Sequence, residues 1–129
     1  MALGPQPESD ADLVAYLTAC EERIGYQFTD KALLREMTRV IREVVPTAEV
    51  LLYGSVARGN QGPESDYDIL VLTDEPLSKN GQREIERQVL DLELAHDVVL
   101  STIYHSKAEW RLRAALPFHN EVEKHGIAL

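Results

Sequence analysis

The stretch "LLYGSVARGNQGPESDYDILVL", Leu51 to Leu72, sets two apolar runs on either side of a polar, glycine-bearing loop. "AEVLLYG", residues 48–54, reads as a buried strand ending at Gly54, and "YDILVLT", residues 67–73, as a second. Asp66 and Asp68 stand where the chain turns apolar again. On a strand, residues two apart face the same side, roughly 6.5–7 Å from each other. Tyr67 and Ile69 then face the other side. Two carboxylates so placed repel each other unless a cation lies between them. Mg²⁺ suits them, because it takes oxygen ligands and commonly shares them with substrate phosphates.

The other end of the loop offers a phosphate cradle. Gly54 lets a ligand approach the backbone closely. Ser55 brings a hydroxyl and, if a helical turn starts there, free N–H groups that point at an anion. Arg58 follows about one turn later, with a guanidinium able to grip phosphate oxygens in bidentate fashion. A plain turn accounts for a lone Asp-x-Asp, since "GNQGPESD" holds ordinary loop residues. It does not account for Gly-Ser, Arg58 and the aspartate pair around one loop. A third carboxylate on a neighbouring strand would complete a two-metal site for phosphoryl or nucleotidyl transfer. Asp97 is the candidate, because it precedes "VVL" as Asp66 and Asp68 precede "ILVL".

Outward from this motif, helices alternate with strands. Residues 1–8, "MALGPQPE", read as a loose tail. Residues 9–45 read as two helices. Ser9 caps the first, with Leu13, Val14, Leu17, Cys20 and Ile24 on its apolar face. Thr29 or Asp30 caps the second, whose apolar face is Leu33, Met37, Val40, Ile41 and Val44, and Pro46 stops it. Past the second strand, Ser78 to Ala95 is amphipathic, with Ile85, Val89 and Leu92 on one side. "DVVLSTIY", residues 97–104, reads as a third strand. Ser106 with Glu109 forms a capping box before a helix through Trp110. Pro117 opens a last helix, "PFHNEVEKHG". The pattern implies an α/β or α+β fold, a mixed β-sheet with helices packed on it.

Composition narrows the function classes. The 129 residues suit one domain. A formal net charge of -9 argues against a general nucleic-acid surface. No apolar run reaches the roughly 20 residues of a membrane span. The single cysteine, Cys20, allows no internal disulfide, and a cytoplasmic setting is the simplest expectation. Cys20 reads as a buried structural thiol. The four histidines show no zinc spacing with cysteine. Trp110 is expected to pack on the sheet, and Tyr53 and Tyr67 to be core or rim residues.

"YGSVARG" followed by "SDYDILV" resembles the minimal nucleotidyltransferase group of the DNA polymerase β-like superfamily. Ten residues, Val56 to Ser65, separate Ser55 from Asp66, which gives that group's Gly-Ser-x10-Asp-x-Asp signature. The resemblance runs from about Ala48 to the C-terminus and implies a nucleotidyltransferase core over residues 46–129. It implies that Gly54 and Ser55, helped by Arg58, hold the triphosphate of ATP. It implies that Asp66 and Asp68 bind two Mg²⁺ ions, and that Asp97 binds the catalytic metal and helps activate the acceptor hydroxyl. Glu93 is the fallback for Asp97. The implied reaction moves AMP from ATP to an acceptor. Members of the group include antitoxins that modify a HEPN-type toxin, so the implied partner is such a protein or a second copy in a homo-oligomer. An aminoglycoside-like small-molecule acceptor and a non-catalytic nucleotide- or toxin-binding module are the alternatives. Placement of Asp97 on the strand beside Asp66 and Asp68 would favour catalysis, and placement away from them would favour the binding module. A shorter stretch, Cys20 to Thr38, resembles the opening helix pair of ribonuclease III domains without their acidic signature. It is read as a two-helix extension and not as a nuclease.

Overall fold

The computed structural model describes residues 31–54 and 67–129. The expected first helix with Cys20, the "GYQF" corner, and Ser55, Arg58 and Asp66 lie outside the described residues. Eight elements follow in order: α1 (Lys31–Val44), β1 (Glu49–Tyr53), β2 (Tyr67–Thr73), α2 (Lys79–His96), β3 (Leu100–Ser106), α3 (Lys107–Leu112), α4 (Pro117–His125) and β4 (Ile127–Ala128).

The strands form one mixed sheet in the order β3-β2-β1-β4. β1 runs antiparallel to β2 and to β4. β2 and β3 are parallel, which the crossover through α2 makes possible. Alternation along the central strands then divides the core in two. Val50, Leu52, Tyr67, Ile69 and Val71 face α1 and α2, meeting Leu33, Leu34, Met37, Ile41, Ile85 and Val89. Leu51, Leu70 and Leu72 face the C-terminal helices, meeting Trp110 and Val122. Every residue of β2 except Asp68 is buried, as a central strand covered on both sides requires.

Local chemistry sets the boundaries. Ser78 caps α2, its hydroxyl accepting from the Gly81 N–H at 3.0 Å. Ser106 and Glu109 form the expected capping box at the head of α3. Pro117 occupies the first turn of α4, where its missing N–H costs nothing. Arg42 fastens α1 to the sheet, donating to the Ala48 carbonyl at 3.3 Å and to the Leu129 carbonyl at 2.9 Å. Its half-buried position holds the guanidinium below its ordinary pKa through desolvation. Trp110 is buried against the sheet, as expected. Two sequence expectations need correction. The third strand starts at Leu100 rather than Asp97, and a fourth strand, β4, closes the far edge.

Candidate active site

β1 ends at Tyr53, which lies directly across from Asp68 in the antiparallel register. The chain leaves the strand through Gly54 at φ +76, a left-handed conformation that side chains other than glycine rarely adopt. Gly54 presses against Asp68 so closely that a Cβ built on it would overlap the carboxylate oxygen Oδ2. The glycine is thus needed twice, for its dihedral and for its missing side chain. The sequence motif sets an expected phosphate cradle and an acid pair at the two ends of one loop; the fold brings Gly54 against Asp68.

Asp68 is half-buried at the head of β2, between Tyr67 and Ile69, which are buried on the opposite side of the sheet. This matches the expected alternation. Asp68 therefore faces the α3–α4 side. There, an aromatic wall runs from Tyr53 to Phe118, edge to face at 5.2 Å, and on to Trp110 at 5.7 Å. His119 stacks on Trp110 at 4.5 Å, and the indole N–H donates to Glu123 at 3.3 Å. Burial, reinforced by the negative charge of Asp68, pushes the Tyr53 hydroxyl up to about 12. Tyr53 is therefore a neutral phenol beside the carboxylate at any physiological pH. The sequence presented Tyr53 only as a core or rim residue. Its place as the residue before Gly54 was the signal that it closes the strand opposite Asp68.

Asp97 lies elsewhere than on a strand. It is the C-cap of α2, in the left-handed region at φ 53, and its N–H donates to the Glu93 carbonyl. Its side chain is exposed. The residue that the parallel register sets beside Asp68 is Ser101. Asp97 does share the sheet end of Asp68, since β2 and β3 run in the same direction. Glu93, the fallback, sits on α2 and accepts from the Leu100 N–H at 3.0 Å, fixing the start of β3. Among the described residues, no group of three or more histidine, cysteine or acidic side chains gathers as a metal site. Among them, too, no helix is long and apolar enough to cross a membrane.

The family model for the nucleotidyltransferase domain matches residues 34–126. The chain belongs to that family. This nucleotidyltransferase is 27% identical over 97 residues to a candidate protein adenylyltransferase of Methanocaldococcus jannaschii, covering 75% of this chain and 91% of the relative. Among solved structures, it resembles a toxin–antitoxin complex crystallised with AMP-PNP. That match has 23% identity and a TM-score of 0.51, over 72% of this chain and 68% of the other. It also resembles a variant of the toxin–antitoxin MntA-HpeT, with 23% identity and a TM-score of 0.52, over 80% and 72% of the two chains. The likenesses to solved structures establish the fold. The nucleotidyltransferase resemblance read from Gly54 and the aspartate motif is borne out at family level; the ribonuclease-like opening remains a sequence resemblance.

Proposed function

We propose that this nucleotidyltransferase transfers AMP from ATP to a hydroxyl on a partner protein. The observation that carries the proposal is the contact of Gly54 with the Asp68 carboxylate at the mouth of paired strands. It leaves a bare backbone beside an acid, where a phosphate chain and its counter-ion can approach together. Two carboxylates at this spacing, Asp66 and Asp68, are a hard oxygen donor set that fits Mg²⁺. When bound, Mg²⁺ would offset the negative charge that builds up on the phosphoryl oxygens.

Each residue then has a role. Gly54 and Ser55 cradle the triphosphate, with Arg58 gripping its oxygens. Asp66 and Asp68 would hold the metal. The acceptor oxygen bonds to the α-phosphorus of ATP, the bond from that phosphorus to the bridging oxygen breaks, and pyrophosphate leaves. The acceptor's proton passes to a carboxylate, the role assigned to Asp97. Its exposed place at the mouth of β3 allows that role only from outside the strand. Tyr53, kept neutral, closes the floor of the site without adding a second negative charge beside Asp68.

A protein acceptor fits the M. jannaschii relative, which is named for protein adenylylation. It also fits the toxin–antitoxin complexes among the structural neighbours, and the motif's resemblance to a group that includes antitoxins makes a HEPN-type toxin the partner to try. The test is incubation with α-labelled ATP, Mg²⁺ and that class of partner. Label should move to the partner. Asp66→Asn and Asp68→Asn should each abolish transfer while circular dichroism stays unchanged. Asp97→Asn should slow it, if that residue takes the proton. Undiminished transfer by Asp68→Asn would sink the site assignment.

A further inference from the structure

Between Glu109 and Glu121 the chain holds no acid, yet carries Arg111 and Arg113. Residues 111–117, which join α3 to α4, are all exposed. Arginine alternates with leucine along them, and Leu112 and Leu116 stand 87% and 46% exposed. The turn is nonetheless ordered. The Arg113 N–H donates to the Trp110 carbonyl at 3.1 Å, the Ala114 N–H to the Arg111 carbonyl at 3.3 Å and the Leu116 N–H to the Arg113 carbonyl at 2.9 Å. Trp110 precedes the turn and Phe118 follows it, and their rings meet in the aromatic wall. Phe118 in turn meets Tyr53, the residue across from Asp68. The turn is therefore anchored at the rim of the candidate site. Among the described residues neither arginine has an ion-pair partner. Glu109, one turn before Arg113, is committed to the capping box of α3, and Arg113 attracts it without a hydrogen bond. Glu123 accepts from the Trp110 indole.

We propose, resting on the protein-acceptor reading above, that this turn docks the acceptor through a segment in which acidic residues flank an apolar one. Charge selects that occupant. At a net charge of -9 the chain as a whole repels an acidic partner, so a basic rim sets where such a partner lands. Each free guanidinium can take a carboxylate in bidentate fashion. The exposed leucines beside them suit a peptide, whose apolar side chains cover them, and add nothing for a triphosphate. Two arginines are also too few to hold a nucleic-acid backbone. Because the turn is already held by its own hydrogen bonds, docking orders little further chain. The surface is far smaller than a standard interface, which makes the contact weak, as a substrate that must leave after modification requires.

Two measurements on the full chain test this. The first is fluorescence anisotropy with a labelled hexapeptide of four glutamates and two leucines, beside the same peptide with lysines for glutamates. The wild type should bind the acidic peptide weakly and prefer it to the basic one. The double variant Arg111→Glu with Arg113→Glu, circular dichroism unchanged, should weaken that binding by about tenfold. Arg83→Glu makes the same kind of charge change at an exposed position on α2 and should leave it as it was. The second is label transfer from ATP to the HEPN-type partner, where the double variant should raise the KM for the partner and leave kcat and ATP binding by calorimetry near the wild type. If no label moves even in the wild type, the transferase reading fails and the peptide alone decides the docking surface. A wild type that ignores the acidic peptide overturns the proposal, as does binding that survives the double variant. Loss of ATP binding in that variant also overturns it, by making the turn part of the nucleotide site. So does a wild-type dimer in sedimentation velocity that the double variant dissolves.

Discussion

Replacing Gly54 by alanine tests whether the site is built on the absence of a side chain. Two costs add. A non-glycine residue held in the left-handed region at φ +76 costs roughly 1–2 kcal/mol. The new Cβ would overlap the Asp68 carboxylate, which must swing away. Forcing that side chain off its rotamer costs about 0.5–1.5 kcal/mol more. Together they predict a loss of about 1.5–3.5 kcal/mol of stability, or roughly 10 °C in melting temperature for a chain of this size. Urea denaturation measures it. The same substitution in an Asp68→Ala background should cost only the conformational part, since the colliding group is gone. The two single variants and the double variant form a cycle whose coupling should be about 0.5–1.5 kcal/mol. ATP binding with Mg²⁺, read by calorimetry, should fall in Gly54→Ala because the displaced carboxylate no longer faces the cradle. Two results would refute the reasoning. A neutral Gly54→Ala would refute the left-handed conformation, and an equal loss in both backgrounds would refute the contact with Asp68.

Two further predictions concern the supports of the site. Trp110→Ala removes the ring that bridges Phe118 and His119 and should cost about 3–5 kcal/mol, read as an earlier urea midpoint. Asp74 is held below the usual carboxylate range, first by its hydrogen bond with Lys107, at 2.7 Å. A carboxyl lowered in the folded state adds stability that is full above its unfolded pKa of about 4 and lost as pH falls through its folded value. Asp74→Asn should therefore flatten that part of the acid limb in a stability–pH profile, by lowering stability slightly at neutral pH while leaving the low-pH end almost unchanged.

β2 was legible to the residue, because a fully covered strand leaves an unbroken apolar run bounded by acids and a turn. The capping box at Ser106 and the proline before α4 were equally plain, since each acts through its nearest neighbours. Asp97 was not. "HDVVL" reads as the head of a strand, yet aspartate is one of the few residues that tolerates the left-handed region. A hydrogen bond to Glu93 ends α2 there, and the chain travels three residues further before the sheet captures it. Nothing in the local pattern separates those outcomes, because what decides them is where β2 lies. β4 escaped for a related reason. Two residues cannot show an alternation, and they become a strand only because β1 offers its free edge. For the site, sequence named Gly54 and Asp68 individually; that one must lack a side chain because of the other is a property of the register.

The sheet joins β1 to partners at very different distances along the chain. Leu51 and Leu52 of β1 pair with Ala128 and Ile127, across almost the whole described chain, whereas the β1–β2 pairing spans one loop. Closing the longer loop costs more chain entropy and brings only two paired residues in return. β4 is therefore expected to dock late and leave first. The strand that delivers Gly54 to Asp68 is held on one side by an early partner and on the other by a late one. The β1 amides facing β2 should exchange slowly and those facing β4 faster, which is the dynamic signature expected of this topology at the floor of the site.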